Sequence, residues 1–193
     1  MRLLRIVLVL FPSLAWAVEP ANVQTTAQIQ DSGVGSAGLI SINTAAGQDH
    51  QQINARAIAI GEHATAQLIL QQKLMMESLS SAVDAHSEIL GASFSQSNGL
   101  IGVNQAAGAG NQQINAYRLR LGAPGQALDD SVLSQQNVAA PANLSGSTHD
   151  AKGTRAVITD NRAFTGSRGV VQLNQSAGVG NRSVNNLSFT VVD

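Results

Sequence analysis

Four histidines, one glycine-rich hexapeptide, one adjacent acidic pair and no cysteine are the raw material this chain offers for chemistry. Gly33 to Gly38 fits the G-x-G-x-x-G spacing of a dinucleotide-binding turn. No apolar strand precedes it and β-forming sequence follows it, so no helix N-terminus stands ready for a pyrophosphate. His50, His63, His86 and His149 lack the spacing of metal ligands, and with no thiolates available they read as scattered, solvent-facing side chains. Asp129-Asp130 falls in a Gly/Pro-punctuated stretch and reads as solvated. Serine, histidine and aspartate all occur, yet no serine is framed as G-x-S-x-G. The sequence therefore reads as that of a non-enzyme, and neither a metal nor an organic cofactor is expected.

The residues that do recur at fixed spacing are Gly, Ala and Asn. Three segments align without a gap: 38–61, 99–122 and 169–193. The first two are identical at 13 of 24 positions. One residue type occupies all three copies at Gly38, Gly99 and Gly169; Asn43, Asn104 and Asn174; Ala46, Ala107 and Ala177; Gly47, Gly108 and Gly178; and Asn54, Asn115 and Asn185. Ser36, Ser97 and Ser167 match just upstream. Units of this length cannot bury a hydrophobic face alone and are stabilised by stacking on their neighbours.

Each copy reads as strand, turn, strand. In the first arm Ile40 and Ile42 share a face at period two, as do Ile101 and Val103, and Val171 and Leu173. Gly47, Gly108 and Gly178 are the expected turn residues, because glycine accepts positive φ at no steric cost. In the second arm Asn54 shares parity with Ile58 and Ile60, Asn115 with Leu119 and Leu121, and Asn185 with Phe189 and Val191. A lone amide on such a face is costly. Stacked on its counterpart in the next layer, it becomes one step of an asparagine ladder, a device of cross-β stacks. The expected fold is thus all-β: a β-solenoid or cross-β stack of three strand-turn-strand repeats, with layers about 4.8 Å apart. Asn43, Asn104, Asn174, Asn54, Asn115 and Asn185 would form the ladders. Ile58, Ile60, Leu119, Leu121, Phe189 and Val191 would fill a dry interior. A closed barrel or sandwich also explains the alternation, but not the recurrence of asparagine.

The elements around the repeats follow from composition. Arg2 and Arg5, an apolar run from Leu3, and Ala15-Trp16-Ala17 give a secretory signal peptide over 1–17, cleaved after Ala17; a buried N-terminal helix is the alternative. Residues 18–37 form a polar lead-in. Residues 62–98 form a first connector, where Met75, Leu79, Val83, His86 and Leu90 follow helical spacing between Ala66 and Leu90. That stretch reads either as an amphipathic helix or as a solvent-facing linker with partial helicity. Residues 123–168, punctuated by Pro124, Gly125, Pro141, Gly146 and Gly153, read as a flexible connector.

Aromatic residues make up 3% of the chain and charged residues 12%, against about a quarter charged in ordinary globular domains. Such a composition disfavours a conventional aromatic-rich core and suits tightly stacked β-structure. The near-neutral charge offers no broad attraction to nucleic acid or to an anionic membrane.

The run Gly102 to Asn115, GVNQAAGAGNQQIN, resembles the repeat of the Fap functional amyloid system of pseudomonads at every fixed position. The first copy departs from it at Ser41, Ile42, Thr44 and His50, the third at Gln172, Leu173, Ser176, Arg182 and Ser183. The resemblance implies an exported amyloid subunit that self-associates into biofilm fibres, with a related major subunit, an outer-membrane export pore and a periplasmic chaperone as partners. In that family a C-x-x-C pair near the C-terminus goes with the major subunit. The absence of cysteine, and an end inside the third repeat, favour the minor, nucleating B-type subunit. The major subunit, or a chaperone-like or adhesin-type binding protein sharing the repeat, are the alternatives.

Overall fold

The computed structural model describes residues 23–62, 66–76, 83–122, 133–139 and 153–191. The expectations placed on 1–17, including Ala15 and Ala17, and on His63, Leu79, Asp129-Asp130 and His149 lie outside these residues. The described residues form strands and turns, with no helix among them.

Among the described residues eleven strands run in three successive layers. The first layer holds β1 (Val23–Gln30), β2 (Ala37–Gln48), β3 (Gln51–Ile60) and β4 (Leu70–Met76). The second repeats the course with β5 (Val83–Leu90), β6 (Asn98–Ala109), β7 (Gln112–Leu121) and β8 (Leu133–Ala139). The third has β9 (Arg155–Thr159), β10 (Arg168–Val179) and β11 (Arg182–Val191). Each strand pairs with its counterpart in the next layer, giving the parallel sheets β1-β5-β9, β2-β6-β10, β3-β7-β11 and β4-β8. Gly38 lies over Gly99 and Gly99 over Gly169, so the layers stack in register and no barrel closes.

The sheets differ in what lies between them. β2, β6 and β10 turn one face to the β1-β5-β9 sheet, where Ile29, Ile89, Phe94, Ile101 and Val103 form a buried apolar cluster joined by Ile40, Ile42 and Leu173. A second, smaller-residue cluster gathers Ala27, Val83, Ala85 and Ala107. Their other face meets the β3-β7-β11 sheet through amides. One sheet thus uses its alternation twice, apolar to one neighbour and polar to the other.

Three expectations are corrected here. The helical spacing between Ala66 and Leu90 gives no helix among the described residues, where 70–76 and 83–90 are β4 and β5. On β5 the buried positions alternate, Val83, Ala85, Ser87 and Ile89, and two of the four are too small to announce a strand. Pairing with Val23 to Gln30, not local propensity, decides the conformation. Second, the polar lead-in and the flexible connector contribute strands, β1 from the former and β8 and β9 from the latter. The repeating unit is therefore longer than the 24-residue segment. Third, Gly47 lies within β2, and the chain reverses two residues later, at Asp49, Gly110 and Gly180, whose φ angles are 57°, 63° and 69°.

Candidate functional site: amide columns and open layers

β2 and β3 face each other as the two arms of an arch, as do β6 and β7, and β10 and β11. The recurring asparagines of both arms point into the space between them. Asn104 Nδ2 donates to Asn43 Oδ1 and Asn174 Nδ2 to Asn104 Oδ1, each at 3.0 Å. On the opposite arm Asn115 donates to Asn54 and Asn185 to Asn115, again at 3.0 Å. The two columns are also joined across the arch, Asn54 to Asn43 at 2.8 Å, and Asn115 to Asn104 and Asn185 to Asn174 at 3.0 Å. Backbone carbonyls fix which way each amide points. Asn54, Asn115 and Asn185 each give an N–H to the carbonyl of Ile42, Val103 or Leu173 at 3.0 Å. The oxygens are therefore left to accept from neighbouring side chains.

Further polar columns flank these. Gln112 donates to Gln51 Oε1 at 2.9 Å, and Gln175 to Gln105 Oε1 at 3.0 Å. At the reversal, the Asn181 amide reaches Asn111 Oδ1 at 2.9 Å, and the Asn111 backbone N–H donates to His50 Nδ1 at 3.3 Å. His50 is half-buried and takes the place asparagine has in the next two layers, which corrects its reading as a solvated side chain. At the other turn, Phe94 is fully buried and stacks on Phe164 with ring centroids 5.1 Å apart. In the first layer the ring's place is empty: Gly33 lies beneath Phe94, and a Cβ there would come within 2.7 Å of the ring. The G-x-G-x-x-G run is thus a tight turn between β1 and β2, with Gly33 and Gly35 in the left-handed region. The upstream part of the repeat, Ser93-Phe94-Ser95 and Ala163-Phe164-Thr165, was legible only through the aligned Ser97 and Ser167.

Gly47, Gly108 and Gly178 stack at a close approach of backbones. A Cβ on Gly108 would lie 2.0 Å from the Gly178 carbonyl oxygen, and one on Gly47 1.8 Å from that of Gly108. With φ near 110° at both, an L side chain is excluded on two grounds.

The expected dry interior is placed differently. Ile58, Ile60, Phe189 and Val191 share the face of the asparagines but sit at the mouth of the arch, and they are exposed, Ile60 by 73%. Leu119 and Leu121 of the middle layer are half-buried. Position in the stack accounts for the difference, since Leu119 alone of its column has a layer on each side. Asn104 and Asn115 are likewise buried, whereas Asn43 is exposed and Asn54 half-buried. Ile101 is fully buried, but its third-layer counterpart Val171 is 42% exposed.

A groove of about 580 Å³ opens on the third layer, lined by Val171, Gln172, Leu173 and 184–187, none of them titratable. Among the described residues no cluster of His, Asp or Glu could hold a metal ion. Among the described residues the outer strand edges of the first and third layers have no pairing partner, and open edges beside stacked amide ladders are the kind of surface to which further strands add.

No solved structure matches the chain. The sequence profile of the functional amyloid protein FapB/FapC family matches residues 14–192, nearly the whole length and all three layers. By that match, in agreement with its stacked β-architecture, the chain belongs to the functional amyloid protein FapB/FapC family.

Proposed function

We propose that this protein is the minor, nucleating subunit of an extracellular amyloid fibre, exported through the periplasm and an outer-membrane pore, and that it offers the related major subunit a ready stack on which to grow. The observation that carries this reading is the burial contrast between layers. In several columns the middle-layer side chain is dry and an end-layer counterpart is not (Asn104 against Asn43, Asn115 against Asn54 and Asn185, Ile101 against Val171), so those end-layer residues gain burial when another layer is added. A single chain already supplies three registered layers, which removes the costly first pairing of separate strands. The absence of cysteine supports the nucleating over the major role through the family resemblance.

The test is seeding. Purified chain lacking residues 1–17, added at low molar ratio to the major subunit, is expected to abolish the lag and give fibres with a meridional reflection near 4.8 Å. A stable soluble chain that slows the partner's assembly would establish a chaperone-like binder instead.

A further inference from the structure

The asparagine columns are finished differently at their two ends. In the first layer the Asn43 oxygen accepts twice, from Asn54 across the arch at 2.8 Å and from Asn104 of the next layer at 3.0 Å. In the second layer the Asn104 oxygen does the same, from Asn115 and from Asn174, both at 3.0 Å. In the third layer the Asn174 oxygen accepts from Asn185 across the arch at 3.0 Å, and its second donor is the hydroxyl of Ser183 in its own layer. Ser183 thus fills the position that the asparagine of a further layer would take. It stands in the column of Gln52 and Gln113. Gln52 donates to Gln113 Oε1 at 2.9 Å, but Gln113 meets no third glutamine and donates to Ser176 Oγ at 3.0 Å. Ser176 replaces the alanine of the other two layers, Ala45 and Ala106. Two departures of the third copy therefore compensate one another. Ser183 closes the asparagine column, and Ser176 accepts the bond that a glutamine at 183 would have taken.

The opposite end is open. Asn104 and Asn174 each donate to the asparagine oxygen of the layer before at 3.0 Å, and to a backbone carbonyl of that layer, Ile53 or Ile114, at 2.9 Å. Asn43 has no layer before it, and among the described residues its amide meets only the Gln52 carbonyl, at 3.4 Å. Exposure agrees: Asn43 and Asn174 hold equivalent places at the two ends, yet Asn43 is exposed and Asn174 only 2% so. The first layer also departs from the second, at Thr44 and His50. His50 still accepts from the Asn111 backbone N–H, and Thr44 ends the Gln105–Gln175 column, which faces β1 and β5 outside the arch.

We infer that the third layer is a closing face and the first layer the growing face, and that the chain which adds there carries glutamine and alanine in its last layer where this one has Ser183 and Ser176. The inference rests on the fibre reading above and adds to it a direction and a requirement on the partner. Parallel, in-register stacking sets the incoming chain's last layer on this chain's first. A last layer with those residues offers the Asn43 amide an asparagine oxygen with an acceptor position open, and it offers Gln52 Oε1 a glutamine amide. A copy of this chain must instead release its Ser183 hydroxyl and supplies no glutamine step. In a growing fibre this chain therefore stays at the base.

The experiment uses the chain lacking residues 1–17 and its Ser176→Ala/Ser183→Gln variant, which gives the third layer the residues of the second. Each junction between copies of the variant is better by two hydrogen bonds, so the soluble concentration in equilibrium with fibres should fall about thirtyfold. Labelled variant should extend fragments of wild-type fibres from one end only in two-colour imaging, because only the first-layer end presents a face that it completes. Ser183→Ala removes the hydroxyl with little other change and should lower the soluble concentration about fivefold, whether or not the double variant folds. Unchanged soluble concentrations in both variants, or equal growth from both ends of the fragments, would overturn the inference while leaving the fibre reading intact. If neither the wild type nor the variants give fibres with a reflection near 4.8 Å, both are overturned.

Discussion

Replacing Asn115 by leucine removes a highly connected amide of the middle layer. Its side chain is 1% exposed. The amide nitrogen donates to Asn54 Oδ1, Asn104 Oδ1 and the Val103 carbonyl at 3.0 Å, and the oxygen accepts from Asn174 and Asn185 at 3.0 Å. Two N–H groups and one oxygen thus lose their role, and of the partners left behind Asn104, Asn174 and Val103 are buried. At about 1 kcal/mol net for each hydrogen-bonding group, the loss is about 3 kcal/mol. The same change at Asn43 is milder in the isolated chain. Asn43 is exposed, and water can replace the bonds its oxygen accepts from Asn54 and Asn104. Inside a fibre the two positions become equivalent, because a layer then covers Asn43 as well. Asn115→Leu is therefore expected to destabilise both the soluble chain and the fibre by about 3 kcal/mol, and Asn43→Leu chiefly the fibre. The assay is the concentration of soluble chain in equilibrium with fibres, alongside denaturant unfolding of soluble chain. A 3 kcal/mol loss corresponds to roughly a hundredfold rise in that concentration. A rise of less than twofold for Asn115→Leu, or a fibre indifferent to Asn43→Leu, would refute the ladder as a source of stability.

Other consequences can be checked independently. Gly108→Ala, whose Cβ would sit 2.0 Å from the Gly178 carbonyl, should separate the second and third layers locally, seen as lost hydrogen-exchange protection in β10 and a weaker reflection near 4.8 Å. Phe94→Ala should cost about 3–5 kcal/mol on denaturant unfolding, because the ring is fully buried between Gly33 and Phe164; Phe164→Ala, half-buried at an end layer, should cost less. Asp160 has its pKa lowered from 3.8 to about 2, first by the hydrogen bond from the Arg162 side chain and then by the Arg162 backbone N–H. A depressed carboxylate pKa stabilises the folded state above the unfolded value, and that contribution fades as pH falls from about 4 towards 2. Asp160→Asn should flatten this acid limb in a pH series of hydrogen exchange at the Gly91 and Ala163 amides. The stability it loses near neutrality, where that contribution is fully present, should be modest, because the arginine of the pair is exposed to water.

Periodicity in the sequence determined a good deal. Identical residues at Gly38, Gly99 and Gly169, and at the six asparagines, are enough to require three like units, because only stacking gives a repeated amide a like partner. Alternation at Ile40 and Ile42 and at their counterparts gave strands, and the family resemblance followed from the second copy. The tertiary structure decided the rest. β1, β5 and β9 are strands because parallel neighbours supply their hydrogen bonds; alone, Val83 to Leu90 carries a helix-compatible pattern with small residues at half its inward positions. The reversal falls at Asp49 rather than Gly47, because glycine in that column is required by the approach of the next backbone as much as by its own φ. Most of all, the exposure of Ile58 and Phe189 and the partial burial of Leu119 cannot be read from residue type. Each is fixed by how many layers lie above and below, a property of the stack.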